Sequence, residues 1–284
     1  MNGPVVVGVD GSGPALGAVR WAAAEAMRLG VPLCLVHAEL SLPLDWDLHS
    51  REALHRQSLG WLHEAVQAAR SVDPGVALVP HAEVADPASL LTARSVDACL
   101  LVLGSRGMGG MGALLVGSTA ITVTGHSGCP VVVVRGEVRE GPVVVGVHGE
   151  EPAVLTEAFE QAAARRVPLI AVSVSRTPSG AFTDAVAETL GLDVADHDAA
   201  RCGRLVATLA PWRDKYPDVP LKFVVTHGNA ADALVHHAAD AGLLVVGSRG
   251  RGALTGLLLG STSHGVLHHA PCPVLVVRPG PVSA

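Results

Sequence analysis

Lysine is nearly absent from this chain: of its 284 residues only Lys215 and Lys222 are lysines. Charged residues make up 16% and aromatic ones 3%, and the formal net charge is −6 with His neutral. Mild acidity gives no general attraction for nucleic acid or an anionic membrane surface, both of which want a basic face, so neither is an expected partner. No apolar run approaches the ~20 residues of a membrane span. The start, Met1-Asn2-Gly3-Pro4, carries no basic segment before its apolar residues, and with no secretory signal in view the expected location is cytoplasmic. The 5 cysteines include no CxxC pair, which argues against a disulfide framework or a thiol redox site. Cys34 and Cys99 lie inside apolar runs and read as buried small apolar residues. GxxxxGK[ST], HExxH and GxSxG are all missing, so a lysine P-loop, a zinc protease helix and a hydrolase elbow are not expected.

Apolar residues are plentiful at 49%, which excludes disorder and supplies a core without a structural metal. The sequence also repeats. Gly3-Pro4-Val5-Val6-Val7-Gly8-Val9 returns as Gly141-Pro142-Val143-Val144-Val145-Gly146-Val147. Gly104-Ser105-Arg106-Gly107, Gly117-Ser118-Thr119 and Cys129-Pro130-Val131 return at a constant offset of 143 as Gly247-Ser248-Arg249-Gly250, Gly260-Ser261-Thr262 and Cys272-Pro273-Val274. Repetition of landmarks in one order over half the chain marks a tandem duplication, not a solenoid. The seam is polar and bounded by glycines, which places domain 1 at 1–136, a linker at 137–141 and domain 2 at 142–284.

Within the first copy, buried strands are expected at 5–9, 33–36, 76–79, 99–103 and 131–134. Helices are expected from Pro14 to Gly30 with Ser12 or Gly13 as cap, and at 54–69, 87–96 and 118–126. Unalternated apolar strands separated by helices indicate an α/β fold: a parallel sheet with helices on both faces, doubly wound, in each copy.

Such sheets bind ligands beyond the carboxyl ends of their strands. The glycine-rich runs fall there, at Gly104-Ser105-Arg106-Gly107-Met108-Gly109-Gly110 before Gly117-Ser118-Thr119, and at Gly247-Ser248-Arg249-Gly250-Arg251-Gly252 before Gly260-Ser261-Thr262. Both copies read Gly, two residues, Gly, nine residues, Gly, Ser. Glycine lets backbone N–H groups approach phosphate oxygens, and Ser118 and Ser261 open helices whose free N–H groups favour an anion. Bare tight turns are the competing reading of the same glycines. A GxGxxG string at Gly107 follows the fourth strand without a downstream acid and is not repeated, so a dinucleotide fingerprint is not expected. His264 and His268 share a helical face at metal-ligand spacing, yet without convergent partners a solvated face is the better reading. Trp21, Trp61 and Trp212 sit at core-like helical positions, and residues 40–47 read as a surface loop beside the ligand pocket.

The chain resembles a tandem-domain member of the universal stress protein family over both halves. The resemblance rests on Val7-Gly8-Val9-Asp10-Gly11-Ser12, on the Gly-Ser-Arg-Gly…Gly-Ser-Thr signature, and on the closes Cys129–Arg135 and Cys272–Arg278. It implies Rossmann-like domains with five parallel strands in the order 3-2-1-4-5, and, in the nucleotide-binding branch, an ATP site, expected to take magnesium with the phosphates. Carried over, Gly104, Gly107, Gly117, Ser118 and Thr119 would hold ribose and phosphates in domain 1, with Gly8, Val9, Asp10 and Ala38 on the adenine side. Domain 2 offers Gly247, Gly250, Gly260, Ser261 and Thr262 with Gly146, Val147 and Val174. His148 replaces Asp10 there, so domain 2 is expected to bind nucleotide more weakly or with altered metal dependence. The resemblance further implies pairing of the two domains through the short edge strands 131–134 and 274–277, and a homodimer of chains. The expected function is an ATP-binding regulatory protein of the stress response. The rivals are a nucleotide-independent dimerisation module and an enzyme of slow ATP or adenylate chemistry.

Overall fold

The computed structural model describes residues 3–40, 47–107, 116–149, 151–175, 194–248 and 259–278. The chain divides into two compact units, 1–138 and 139–284.

Unit 1 runs β1 (Val5–Gly8), α1 (Gly13–Leu29), β2 (Leu33–Glu39), α2 (Leu48–Arg70), β3 (Leu78–Val84), α3 (Pro87–Arg94), β4 (Leu100–Gly104), α4 (Ser118–His126) and β5 (Val131–Val134). Its strands are parallel in the order β3-β2-β1-β4-β5. Val5, Val6 and Val7 pair with β2 on one side and β4 on the other, so they are shielded on every side and β-branched residues fit. α1 packs with α2, and α3 packs with α4. Right-handed crossovers along this strand order put the two helix pairs on opposite faces of the sheet.

The helix ends follow from local chemistry. Ser12 caps α1 by accepting from Ala15 N, Pro14 occupies the first turn, and Gly30 ends the helix in the left-handed region. Asp86 caps α3 through bonds from the Ser89 backbone N–H and hydroxyl, which hold its carboxyl below the usual aspartate range. That lowered value carries a pH dependence. The stabilisation is present above the ordinary aspartate value of ~4 and is lost as pH falls through the depressed one. Asp86→Asn keeps an acceptor at the cap but has no charge to lose. The stability gap between the wild type and this variant therefore narrows between pH 6 and pH 3 in urea unfolding, and a gap that stays constant contradicts the cap's charged role.

Three expected bounds shift by more than two residues, β2 running on to Glu39 beyond the expected 36. β3 lies at 78–84, not 76–79: it is the sheet edge, with Val79 and Val84 exposed and Pro80, His81 and Glu83 interrupting any apolar run. α2 starts at Leu48 behind an Asp47 cap, earlier than its apolar periodicity shows, because its first two turns are mostly exposed.

Unit 2 repeats the plan as β6 (Val143–Gly146), α5 (Pro152–Arg165), β7 (Leu169–Ser175), α6 (Val194–Lys215), β8 (Leu221–His227), α7 (Ala230–His237), β9 (Leu243–Gly247), α8 (Ser261–His269) and β10 (Val274–Val277). Its parallel strands stand in the same relative order, β8-β7-β6-β9-β10. Among the described residues, no helix is long and apolar enough to cross a membrane.

Candidate functional site

Strand order in unit 1 reverses between β1 and β4, so the connections that leave the carboxyl ends of these two strands run to opposite faces of the sheet. A cavity of about 840 Å³ occupies the resulting crevice, the place where doubly wound sheets take ligands. Gly8, Val9 and Asp10 reach it from β1, Ala38 from β2, Gly104, Arg106 and Gly107 from the end of β4, and Gly117, Ser118 and Thr119 from the start of α4. These are the residues singled out from sequence, with one exception. Ser105 is not in the cavity wall: its N–H donates to Val134 O and its carbonyl accepts from Gly117 N at 2.9 Å. That bond fixes where α4 begins. Met108, Gly109 and Gly110 lie outside the described residues.

The start of α4 is open. Gly117 is its cap in extended backbone (φ −64°, ψ 149°), and among the described residues no side-chain cap bond reaches the first-turn N–H groups. Orphan donors at a helix start, with the positive end of the macrodipole, form an anion cradle. Gly107 is crowded on the same side: a Cβ there would lie 2.5 Å from Asp10 Oδ2. Asp10 is held in turn, since its Oδ1 accepts from Ser12 N at 3.0 Å. Gly104 is glycine for a structural reason as well, because a Cβ would meet the Pro14 and Ala15 backbone of α1 at 2.8–3.0 Å.

The opposite wall comes from α2 and was not foreseen as part of the site. Trp61, read from sequence as a core residue, borders the cavity with Leu54 and Ser58. Its ring meets His37 edge-on, with centroids 5.3 Å apart. His37 is buried and places Nδ1 2.7 Å from Val9 O and Nε2 3.1 Å from Ser58 Oγ. A carbonyl only accepts, so Nδ1 carries the proton and His37 ties the end of β1 to α2. At the mouth, Glu39 Oε1 meets His55 Nδ1 at 2.8 Å. The cavity thus joins an apolar and aromatic wall to a rim of backbone donors, with Arg51, Arg106, Asp10 and Glu39 supplying charge. The only advance signals were a histidine ending an apolar strand and the three-residue spacing of Ser58 and Trp61.

In unit 2 the corresponding positions are set up alike in backbone but not in side chains. Gly260 caps α8 without a side-chain bond and donates to Ser248 O at 2.8 Å. Ser261 and Thr262 open that helix, and Gly146, Val147, Val174 and Gly247 stand at their strand ends. Ser248 Oγ is buried with no hydrogen-bond partner among the described residues. Arg249, Gly250, Arg251 and Gly252 lie outside the described residues. On α7 and α8, His236 stacks edge-on with His237, and His264 lies 4.6 Å from His268 between ring centroids. Burial, with His236 beside it, pulls the His237 pKa down. Among the described residues no group of three His, Cys, Asp or Glu side chains is arranged to hold a metal ion.

The model of the Universal stress protein family matches residues 1–135 and again 141–278. A universal stress protein of Mycobacterium tuberculosis is 35% identical over 292 residues, covering 96% of each chain. One from Mycolicibacterium smegmatis is 33% identical over 292 residues and 97% of each chain. Among solved structures, a universal stress protein from Archaeoglobus fulgidus superposes with a TM-score of 0.71 at 18% identity, over 99% of this chain and 98% of that one, which shows a shared two-domain fold. Family match, identity and fold agree over both units: the chain belongs to the universal stress protein family.

Proposed function

We propose that unit 1 binds an adenine nucleotide, ATP carried with magnesium, and that the protein works as a nucleotide-dependent regulator in the stress response. The observation that carries this is a single cavity of about 840 Å³ in which an apolar wall and the uncapped start of α4 face the same space. Its size is that of a small-molecule site, and its two walls suit the two ends of a nucleotide. An aromatic and aliphatic wall of Trp61, Leu54 and Leu91 would take the base; the α4 N–H groups and Gly107 would take the phosphates. Unit 1 contains no lysine, so phosphate recognition falls to backbone donors and arginine. The Asp10 carboxylate beside Gly107 is placed to share a magnesium ion brought by the phosphates, which would neutralise their charge.

The reading is one of binding rather than rapid turnover. It assigns no general base and no phosphate-clamping lysine, both of which fast phosphoryl transfer uses. Occupation of the cavity would favour one presented surface over another.

Trp61 supplies the test. Mg-ATP binding against its indole changes the intrinsic fluorescence saturably, and Trp61→Phe removes most of that change while calorimetric binding persists. Absence of any saturable change or heat up to millimolar ATP overturns the reading and leaves a nucleotide-independent dimerisation module in its place.

A further inference from the structure

The two units repeat the same positions but exchange the chemistry on one side of the cleft. Strand register pairs Leu33 with Leu78 in unit 1 and Leu169 with Leu221 in unit 2, so His37 and Ala38 correspond to Ser173 and Val174. From β3 and β8 onward the offset is a constant 143, as in Leu78 and Leu221 or Ser118 and Ser261. Carried back onto the preceding helix, that offset pairs buried Leu62 with buried Leu205, and Ser58 with Arg201.

The contact between these positions is kept in both units. In unit 1, His37 Nε2 meets Ser58 Oγ at 3.1 Å. In unit 2, Arg201 Nε donates to Ser173 Oγ, also at 3.1 Å. The difference is reach. Ser58 stops at His37, whereas the Arg201 guanidinium continues and donates through Nη2 to Val174 O at 2.6 Å. Val174 stands where Ala38 borders the cavity of unit 1.

We propose that Arg201 is a built-in occupant of the base side of the unit 2 cleft, so that the chain holds one adenine nucleotide, in unit 1, with Arg201 setting the asymmetry. The proposal rests on the nucleotide reading of unit 1. An amino group of a base that sought the Val174 carbonyl would have to displace a charge-assisted bond, and guanidinium is the side chain best suited to keep one. The neighbouring exchanges act in the same direction. Trp61 becomes Arg204, Glu39 becomes Ser175 and Asp10 becomes His148, so unit 2 has no counterpart of that indole or of those two carboxylates at these positions.

Native mass spectrometry of the full chain with saturating Mg-ATP, together with photolabelling by 8-azido-ATP and peptide mapping, tests this. The wild type carries one nucleotide and its label falls within 1–138. Arg201→Met removes the guanidinium while keeping an unbranched side chain of similar apolar length, and this variant carries two nucleotides, the second label falling within 139–284. The reciprocal change Ser58→Arg lowers affinity at unit 1 at least about tenfold. Thermal unfolding of each variant accompanies the titrations, and the two substitutions lie in different units, so a folding defect in one leaves the other to decide. Two nucleotides on the wild type, or one on a folded Arg201→Met chain, overturns the role of Arg201 and leaves the reading of unit 1 standing. No nucleotide on the wild type overturns both.

Discussion

Ser118→Asp lowers the affinity for Mg-ATP at least about tenfold, roughly 1.4 kcal/mol, while the unfolding midpoint stays the same or rises. The two effects separate because they draw on the same feature with opposite sign. Ser118 is the first residue of α4, behind a Gly117 cap that supplies no side-chain bond to the free N–H groups. A carboxylate at that position is worth about 0.3–1 kcal/mol to the helix through the macrodipole. It also fills the space and field that the phosphates need, and like charges a few ångströms apart cost on the order of kcal/mol even near a protein surface. Calorimetry and thermal unfolding on the same sample read the two quantities. If α4 were only a structural helix, its midpoint would rise and ATP affinity would not move.

Gly11→Ala destabilises the fold by about 2–4 kcal/mol. Gly11 has φ +82°, a conformation that costs an L residue energy, and a Cβ there would lie 2.3–2.5 Å from the Trp61 indole. Strain and overlap act together, and the overlap falls on the residue that walls the cavity. A double-mutant cycle separates them. In the Gly11→Ala background, Trp61→Ala costs at least about 1 kcal/mol less than in the wild type, since it removes the overlap and leaves only the backbone strain. Equal costs in the two backgrounds would show that Gly11 and Trp61 do not press on one another. Urea unfolding at neutral pH measures all four corners.

The sequence is informative where close packing leaves a position one choice of residue. Glycine at 104 is legible because the α1 backbone leaves no room for a Cβ, and at 107 because the Asp10 carboxylate stands where one would lie; requirements of that kind leave a spacing that repeats at 247 and 250. The central strands are legible for a similar reason: Val5–Gly8, Leu100–Gly104 and Val131–Val134 are covered on both faces and carry apolar runs. The edge strand Leu78–Val84 is half exposed and polar in alternation, so its pattern gave the wrong bounds. The helix α2 wall was hidden differently. Ser58 and Trp61 join the site by the packing of a long helix over β2, and a tryptophan at helical spacing looks the same whether it faces core or cavity. His148 in place of Asp10 was visible in the second copy, but the reach of Arg201 to Val174 O depends on how α6 lies over β7. A single letter does not carry that.

Isothermal titration of the full chain with ATP in magnesium buffer decides whether an adenine nucleotide occupies the crevice of unit 1. A saturable isotherm with one nucleotide per chain is the expected result. An injection series that shows no binding heat at millimolar ATP, at two temperatures, contradicts it.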